Sequence, residues 1–315
     1  MRFSILSIGT EINLGLILNT NSKFIAEKLT DMGLECIFMV TARDEEKDII
    51  KSLKFCYDFS DIIIISGGLG PTDDDLTRQA VANFLKVDLK REKILDKTSL
   101  KFLKFINNEK ITEKLLRQSF IPYGAIPIKP RIGSASGFIL KNDSKIIFSI
   151  PGVPREMEDM FINDVIPFVK NILEENGFGY GQNILPNGSF FNNESRQIIK
   201  KIVLLSTDIS ESQLEFSIKE IKLIAQNLRV DIGVTASPGL IKIMLVARSE
   251  SLSECEKNLS IIENEIRSVI GEHIYLKGDG AIGDSIKEAI KRSGKNLTIC
   301  TAESITGGLI SSLLT

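Results

Sequence analysis

Several features that mark particular classes of protein are scarce in this sequence. The 39 Lys and Arg residues are balanced by 41 Asp and Glu residues, which leaves a formal net charge of −2. A chain without a basic excess has no electrostatic preference for nucleic acid or an anionic membrane, so we predict neither as a partner. No apolar run approaches the roughly 20 residues of a membrane-spanning helix. The N-terminal residues MRFSILSIGTE also lack the pattern of a secretory signal.

Histidine and cysteine are scarce too. The single histidine, His273, excludes a multi-histidine metal site and argues against a Ser-His-Asp triad. The four cysteines, Cys36, Cys56, Cys255 and Cys300, are widely spaced and include no Cys-x-x-Cys pair. We interpret them as reduced, mostly buried thiols of a cytoplasmic protein.

The first part of the chain alternates between strand and helix patterns. Apolar segments at residues 3–8, 36–40 and 62–65 predict buried strands, and each is followed by apolar residues at helical spacing. This β-α-β-α-β-α order predicts an α/β domain with a parallel sheet covered by helices on both faces. Asp44 is predicted to cap the second of these helices, and residues 90–120 are predicted to be helical.

The rest of the chain has a different pattern. Residues 182–277 contain few helices and strands, which predicts a small α+β domain with a capping box at Ser212 and Glu215. A third segment starts at residue 280, with a strand predicted at 297–300. The sequence stops at Thr315 within an apolar helix, so we expect this α/β segment to be incomplete.

The most informative stretch is IIIISGGLGPTDDDLT at residues 62–77. A β-branched strand leads into a loop with three glycines, which let the backbone turn tightly and approach a ligand. Three carboxylates, Asp73, Asp74 and Asp75, follow directly. In a parallel sheet this loop would lie at the carboxyl ends of the strands, where ligands bind.

Two interpretations of these aspartates compete. Asp is favoured at helix N-termini, where it accepts free N–H groups, so the three residues can be helix caps. Glycine-loop amides at a helix N-terminus also suit phosphate, and carboxylates beside phosphate require a hard cation such as Mg²⁺ between them. Three acids exceed the need of one cap, so we favour the metal and phosphate site.

Five motifs resemble those of the CinA family, the competence/damage-inducible proteins. They are GTEINLGLILNTNS at 9–22, SGGLGPTDDDLT at 66–77, IPGVPREM at 150–157, SESQLE at 210–215 and TAESITGG at 301–308. The motifs span the chain in a consistent order, and together they are highly specific.

The resemblance implies a fold for each part of the chain. Residues 1–176 would form a MoaB/MogA-like domain of the molybdopterin-binding type, with three layers and a mainly parallel sheet. Residues 182–277 would form a KH-like domain, which lacks a basic GxxG loop and is therefore not expected to bind RNA. Residues 280–315 would be the start of a truncated nicotinamide-nucleotide deamidase domain, whether as a fragment, a frameshifted gene or a natural truncation.

The resemblance also implies two activities of pyridine-nucleotide recycling. The first domain would be a hydrolase of ADP-ribose or a related dinucleotide that depends on Mg²⁺, Mn²⁺ or Co²⁺, with potassium as a further candidate cation. The last domain would deamidate nicotinamide mononucleotide with Ser304 as nucleophile. The tyrosine and lysine that assist this serine would lie beyond Thr315, so we predict no deamidase activity in this chain. A homodimer is expected from the resemblance alone.

For the first domain we predict a metal-assisted site. Asp74 and Asp75 are the predicted catalytic residues and metal ligands, with Glu11 and Asp44 as further ligands, and the metal would activate a water for attack on phosphorus. Glycine amides would hold a phosphate oxygen. The predicted substrate-binding residues are Asn21, Gly67, Gly68, Gly70, Thr72 and Gly152.

Two other functions remain open at this stage. The implied fold also holds a pterin phosphate in molybdenum-cofactor synthesis, so the chain could bind or adenylylate molybdopterin. It could also be a non-catalytic partner in competence or DNA repair, although its near-zero net charge argues against direct DNA binding.

Overall fold

The structure is a computed structural model that describes residues 1–96, 116–175, 198–237, 239–278, 280 and 282–314. The chain divides into two compact units, Met1–Arg196 and Gln197–Thr315. The predicted boundary between residues 176 and 182 lies outside the described residues.

The first unit is built on a mainly parallel sheet. Its described strands are β1 (Arg2–Ile8), β2 (Glu35–Ala42), β3 (Ile62–Ser66), β4 (Leu89–Arg91), β5 (Phe120–Pro122), β6 (Ile126–Ile128), β7 (Gly137–Asn142) and β8 (Lys145–Ile150). Six of them form one sheet in the order β2-β1-β3-β8-β7-β6. In it β1, β2, β3 and β8 are mutually parallel, whereas β6 and β7 extend the sheet as an antiparallel edge.

Helices cover both faces of this sheet. They are α1 (Thr10–Asn13), α2 (Thr20–Asp31), α3 (Glu46–Phe59), α4 (Thr77–Leu85), α5 (Pro154–Met160) and α6 (Ile166–Glu175), with a π-helical turn at Phe161–Val165 between the last two. Alternate residues of β3 point to opposite faces: Ile62 and Ile64 pack with α2, α5 and α6, and Ile63 and Ile65 pack with α3 and α4. The predicted three-layer α/β architecture is confirmed.

The helix predicted over residues 90–120 starts too early and ends too late: residues 93–96 and 116–119 are helical, whereas the outermost residues belong to strands. β4 and β5 pair there as an antiparallel ribbon, because Leu89–Arg91 and Phe120–Pro122 satisfy each other's backbone groups across a long sequence separation. Residues 97–115 lie outside the described part of the chain.

The second unit contains an antiparallel sheet packed against helices. Its elements are β9 (Ile198–Ser206), α7 (Glu211–Ser217), α8 (Lys219–Asn227), β10 (Val230–Ser237), β11 (Leu240–Ser249), α9 (Leu252–Ile270) and β12 (Ile274–Lys277). The strands lie in the order β10-β11-β9-β12. Ile243 and Leu245 of β11 pack against Leu259 and Ile262 of α9 in the core of this unit, so the predicted separate α+β domain is confirmed.

The segment after β12 contains the helices α10 (Ile282–Ser293) and α11 (Leu309–Leu314). The predicted strand at 297–300 is absent, and Leu297 and Ile299 are 52% and 51% exposed. No described strand lies alongside these residues to accept their backbone hydrogen bonds, and an unpaired extended segment has no reason to be a strand.

Two predicted helix caps are also wrong. The capping box at the start of α7 is formed by Ser210 and Gln213, two residues earlier than predicted. The residue at the N-cap of α3 is Glu45, not Asp44, and it makes no side-chain cap. None of the described helices is long and apolar enough to cross a membrane.

Candidate functional site

The first unit has a pocket of about 490 Å³ at the carboxyl ends of its parallel strands. Residues that follow β1, β3 and β8, among them Gly9, Gly68 and Gly152, line it. The carboxyl edge of a parallel sheet is where α/β proteins bind their ligands. The pocket is therefore the candidate functional site.

The charged side chains that line the pocket are all acidic. Glu11, Asp44, Asp75 and Glu156 contribute carboxylates, and no Lys or Arg is found among the described lining residues. Three of these acids were predicted as site residues, and Glu156 was not. The pocket thus has a formal charge of −4 before any ligand is bound.

Close backbone approach explains the glycines beneath this pocket. Gly67 has φ +111°, and a Cβ on it would lie 2.2 Å from the carbonyl oxygen of Ile8. Its N–H donates to the carbonyl of Ile150 at 3.1 Å, which joins the ends of β3 and β8. A Cβ on Gly152 would lie 3.2 Å from the Cα of Gly67. Only glycine fits the Gly67 position without a shift of backbone.

Asp75 organises the glycine loop rather than a helix. Its carboxylate accepts hydrogen bonds from the N–H of Gly70 at 2.7 Å, the N–H of Thr72 at 2.8 Å and the hydroxyl of Thr72 at 2.5 Å. The helix that follows begins at Thr77, and Leu76 at its N-cap makes no side-chain cap. The helix-cap interpretation of the aspartates is therefore wrong, because Asp75 closes a turn before the helix starts.

The other two aspartates of the triplet lie outside the pocket. Asp74 is exposed and is not a lining residue. Asp73 forms an ion pair with Arg117 at 2.7 Å, which joins the acidic turn to the segment before β5. The structure thus brings Asp75, but not Asp74, to the place where a ligand would bind.

The buried side chain of Arg78 also stabilises the glycine loop, through hydrogen bonds to its backbone. The guanidinium of Arg78 donates to the carbonyl of Leu69 and to that of Gly70, and the residue is only 5% exposed. Burial lowers the pKa of Arg78 to about 10, against the opposing effect of the Asp75 charge, so the group remains protonated at pH 7. The guanidinium of Arg78 donates to backbone carbonyls and not to carboxylates, so its positive charge lies against the loop.

Asp44 and Glu11 lie on the β1 side of the pocket. The carboxylate of Asp44 accepts the N–H of Thr10 at 2.7 Å and its hydroxyl at 2.9 Å. It therefore fixes the end of β1 instead of capping α3. The carboxylate of Glu11 lies against Gly9, where an added Cβ would be 2.6 Å from Oε1.

The N-terminus of α2 faces the pocket, and Asn21 joins it to the strand ends. Asn19 caps the helix by accepting the N–H of Ser22 at 3.0 Å. The amide of Asn21 donates to the hydroxyl of Ser66 at 3.1 Å and to the carbonyl of Gly152 at 2.8 Å. The N–H of Thr20 donates to the carbonyl of Leu18, which leaves the N–H of Asn21 without an acceptor among the described residues. The partial positive charge of a helix N-terminus favours an anionic ligand.

The predicted phosphate-binding amides are only partly available. The N–H groups of Gly67 and Gly70 already donate to Ile150 and Asp75. The N–H of Gly68 makes no hydrogen bond within the described residues. Thr72 does not line the pocket, and both of its donors serve Asp75. Of the predicted glycine-loop donors, Gly68 is therefore the pocket-lining residue whose N–H is not already used within the described residues.

Glu156 and Gln118 are among the pocket residues that were not predicted from the sequence. Glu156 lies in α5 within the IPGVPREM motif, and its half-buried carboxyl packs against Gly133, where an added Cβ would be 2.1 Å from it. Burial raises the pKa of this carboxyl. Gln118 is fully buried in the pocket wall. The motif was a signal for Glu156, whereas no sequence pattern marked Gln118.

The carboxylate oxygens of the pocket are suitable ligands for a hard cation, although they do not form a metal-binding cluster. The described residues contain no cluster of three or more His, Cys, Asp or Glu side chains positioned to hold a metal ion. Carboxylate oxygens are the donors that Mg²⁺ and Mn²⁺ prefer. The hydrogen bonds to Asp44 and Asp75 resemble those that orient metal-binding carboxylates in general. The residues therefore fit a cation by chemistry.

Ser304, the predicted nucleophile, is exposed in the second unit. Its hydroxyl makes no hydrogen bond to another described residue. The neighbouring carboxylate of Glu303 accepts hydrogen bonds from Ser311, Ile310 and Thr306, which together hold the pKa of Glu303 at about 2. Glu303 thus fixes the start of α11, and Ser304 has no base beside it in the described part of the chain.

Comparisons with known proteins match most of the chain. The model of the probable molybdopterin binding domain matches residues 4–171, and that of the damage-inducible protein CinA KH domain matches residues 202–275. A competence-damage inducible protein of Halothermothrix orenii is 33% identical over 99% of this chain and 68% of its own length. A CinA-like protein of Dictyoglomus thermophilum is 34% identical over 100% of this chain and 70% of its own.

A solved structure also resembles about half of the chain. The crystal structure of CinA from Thermoplasma acidophilum, a protein of unknown function, aligns with a TM-score of 0.50 and 30% sequence identity. The alignment covers 53% of this chain and 96% of that chain.

Proposed function

Because this chain belongs to the CinA family of competence-damage inducible proteins, we propose that its first unit hydrolyses the diphosphate bond of ADP-ribose or a close relative with the help of a divalent cation. The observation that carries this proposal is the acidic pocket at the carboxyl ends of the parallel strands. Four carboxylates line it, and the described lining residues include no cationic side chain.

Charge explains why this pocket needs a cation if its ligand is a diphosphate. Two like charges 4 Å apart repel each other by about 4 kcal/mol at an effective dielectric constant of about 20. A diphosphate beside four carboxylates would experience several such repulsions. The N-terminus of α2 offsets only about 0.3–1 kcal/mol of this cost per charge.

A cation in this pocket would take at most two of Glu11, Asp44, Asp75 and Glu156 as direct ligands, since all four line the pocket but no three of them are gathered around one point. When bound, Mg²⁺, Mn²⁺ or Co²⁺ supplies neutralisation of the phosphate charge and a lower pKa for a coordinated water. Potassium is a further candidate for which no separate site is proposed.

The chain's own residues position the substrate. The backbone N–H groups of Gly68 and Asn21, which have no acceptor among the described residues and belong to residues that line the pocket, would hold phosphate oxygens. Asn21 keeps α2 against the ends of β3 and β8, and Gly152 leaves room at the wall. Asp75 holds the loop in the shape that presents Gly68.

The test is ADP-ribose hydrolysis with added Mg²⁺, Mn²⁺ or Co²⁺. Asp75→Asn and Glu156→Gln are expected to lower kcat/KM at least tenfold, a loss of about 1.4 kcal/mol of transition-state stabilisation. Glu158→Gln is the matched control for Glu156, because Glu158 is exposed on the same helix and does not line the pocket. Asp74→Asn is expected to have a smaller effect than Asp75→Asn. Unchanged rates in both pocket variants would reject the assignment.

Molybdopterin binding is the second candidate, favoured by the match of residues 4–171 to the probable molybdopterin binding domain. The same pocket would then hold a pterin phosphate without hydrolysing a diphosphate. Copurification of a fluorescent pterin, together with no release of AMP from ADP-ribose, would favour this function over the first.

We expect no deamidation of nicotinamide mononucleotide by this chain. A serine hydroxyl without a base is a poor nucleophile, and none of the described residues supplies a base to Ser304. Ammonia release that is lost in Ser304→Ala would contradict this expectation. The proposed homodimer is checked separately by light scattering.

A further inference from the structure

Four consecutive backbone carbonyls of the glycine loop accept hydrogen bonds from the first two residues of α4. The hydroxyl of Thr77 donates to the carbonyl of Gly67 at 2.8 Å, and the N–H of Thr77 donates to the carbonyl of Gly68 at 3.3 Å. The guanidinium of Arg78 donates to the carbonyls of the next two residues. The start of α4 therefore fixes the orientation of the peptide groups in this loop.

This orientation decides where the N–H of Gly68 points. In a planar trans peptide, the carbonyl and the N–H point in opposite directions. The peptide between Gly67 and Gly68 is trans, so the N–H of Gly68 points away from the Thr77 hydroxyl. Thr77 is 0% exposed and does not line the pocket, whereas Gly68 is half-buried and lines it. The N–H of Gly68 is therefore on the pocket side of the loop.

The next peptide has the same orientation but is less accessible. Because the carbonyl of Gly68 accepts the N–H of Thr77, the N–H of Leu69 also points away from α4. Leu69 is only 1% exposed. Gly68 is thus the loop donor that a ligand in the pocket can reach.

The two glycines do not by themselves hold the peptide between them. Gly67 and Gly68 have φ values of +111° and +65°, and glycine adopts positive and negative φ about equally readily. A peptide between two glycines can therefore rotate without a steric penalty from its own residues. Among the described residues, the hydroxyl of Thr77 is the side-chain donor that holds its carbonyl. A Cβ on Gly68 would lie 2.2 Å from Oγ1 of Thr77, which shows how closely the hydroxyl approaches the loop.

We propose that Thr77 is a positioning residue whose hydroxyl orients the peptide between Gly67 and Gly68, so that the N–H of Gly68 binds a phosphate oxygen of the ligand. This inference rests on the proposed function, because it takes the ligand to be a diphosphate. A donor that is oriented before the ligand arrives needs no reorganisation on binding. Rotation of the peptide would instead present the carbonyl oxygen of Gly67, which repels an anion.

Two substitutions separate the hydroxyl from the rest of the side chain. Thr77→Val keeps the shape but lacks the hydroxyl, and Thr77→Ser keeps the hydroxyl but lacks the methyl group. The non-hydrolysable α,β-methylene analogue of ADP-ribose is titrated into the full chain in Mg²⁺. We expect Thr77→Val to bind it about tenfold more weakly than wild type, through the loss of a hydrogen bond to a charged group, and Thr77→Ser to stay within about threefold.

The amide resonance of Gly68 reports the contact itself. In the wild-type protein with Mg²⁺, inorganic pyrophosphate should move the Gly68 N–H signal downfield, because a charge-assisted hydrogen bond deshields the amide proton. Thr77→Val should lose this shift, and Thr77→Ser should keep it. If Thr77 served stability alone, both variants would unfold at lower urea concentration and the Gly68 shift would be the same in both.

Ser60→Ala is the matched control. The hydroxyl of Ser60 is buried and hydrogen-bonded to that of Ser4 at 2.5 Å, and Ser60 precedes β3 at the end opposite to the loop. This variant also loses a buried hydroxyl and its hydrogen bond, but it should keep the Gly68 shift and the affinity for the analogue. Urea unfolding checks that each variant is folded before the titrations.

Three results would each overturn the inference. They are an unchanged Gly68 shift in Thr77→Val, equal losses in Thr77→Val and Thr77→Ser, and no Gly68 shift in the wild-type protein. The last of these does not depend on the folding of any variant.

Failure of the proposed function looks different. A Gly68 shift that depends on the Thr77 hydroxyl, in a protein that does not hydrolyse ADP-ribose, would reject the hydrolase and support the positioning role. Hydrolysis of ADP-ribose by Thr77→Val with wild-type kcat/KM would reject the positioning role alone.

Discussion

Replacing Gly67 by alanine tests how closely the backbone is packed beneath the pocket. The new Cβ would lie 2.2 Å from the carbonyl oxygen of Ile8, at a φ of +111° that side chains rarely adopt. The unfavourable φ costs about 1–2 kcal/mol. Relief of the clash requires a shift of about 1 Å in β1 or the loop, and such overpacking costs about 1–3 kcal/mol more. We expect a total loss of roughly 2–5 kcal/mol of unfolding free energy from these two terms.

Gly124→Ala provides the matched control in the same unit. Gly124 also has a positive φ, +84°, but a Cβ there would meet nothing within 4 Å. It should lose only the conformational term of about 1–2 kcal/mol. Urea denaturation followed by far-UV circular dichroism measures both variants, and Gly67→Ala should shift the midpoint further. Equal shifts would refute the claim that close backbone approach requires glycine at position 67.

Three other predictions follow from ionisable groups. Burial raises the pKa of Glu156, so its contribution to stability is present below the unfolded pKa and lost as pH rises through the folded one. Unfolding of Glu156→Gln should therefore show the variant gaining stability over wild type as the pH rises above the ordinary glutamate pKa of 4.5, and a constant difference would contradict this. Burial raises the pKa of Cys56 to about 11, so iodoacetamide at pH 8 should modify the exposed Cys300 first, as mass spectrometry of the labelled peptides will report. Hydrogen bonds hold the pKa of Glu303 at about 2, so the stabilisation of α11 should be lost as pH falls through that value, visible by NMR as exposure of the Ser311 amide.

The α/β fold of the first unit, with helices on both faces of its sheet, was predictable because its strands carry their own signal. Every residue of β3 is buried, and its alternate isoleucines serve two cores on opposite faces of the sheet. Such a segment requires a central position with helices on both sides. The crossover helices then follow from the short connections between parallel strands.

Hydrogen-bond partners were harder to predict than elements. Asp44 has the sequence context of a helix cap, yet it accepts two hydrogen bonds from Thr10, 34 positions earlier. Asp75 also lies just before a helix, but its carboxylate accepts hydrogen bonds from the N–H groups of Gly70 and Thr72 and so closes a turn. In SESQLE, two serines each precede a Glu or Gln by three positions, and the structure uses the first of these pairs. Local rules allow several partners, and tertiary packing chooses among them.

The residues of the pocket, like the hydrogen-bond partners, were only partly predictable from the sequence. Both Asp74 and Asp75 were predicted to belong to it, but of these two consecutive residues only Asp75 lines the pocket and Asp74 is exposed. Gln118 carried no signal in the sequence, because its burial and its hydrogen bond to Ser134 arise only when the chain folds. The roles of these side chains depend on tertiary packing, which the local sequence does not determine.

The proposed function requires a cation that offsets the repulsion between the acidic pocket and an anionic ligand. One measurement tests this requirement most directly. The non-hydrolysable α,β-methylene analogue of ADP-ribose is titrated into the protein in EDTA and then in Mg²⁺. We predict binding at least tenfold tighter with Mg²⁺, and loss of that gain in Asp75→Asn. Equal affinity in EDTA and in Mg²⁺ would contradict the account, since the four carboxylates would then accept the diphosphate without a cation.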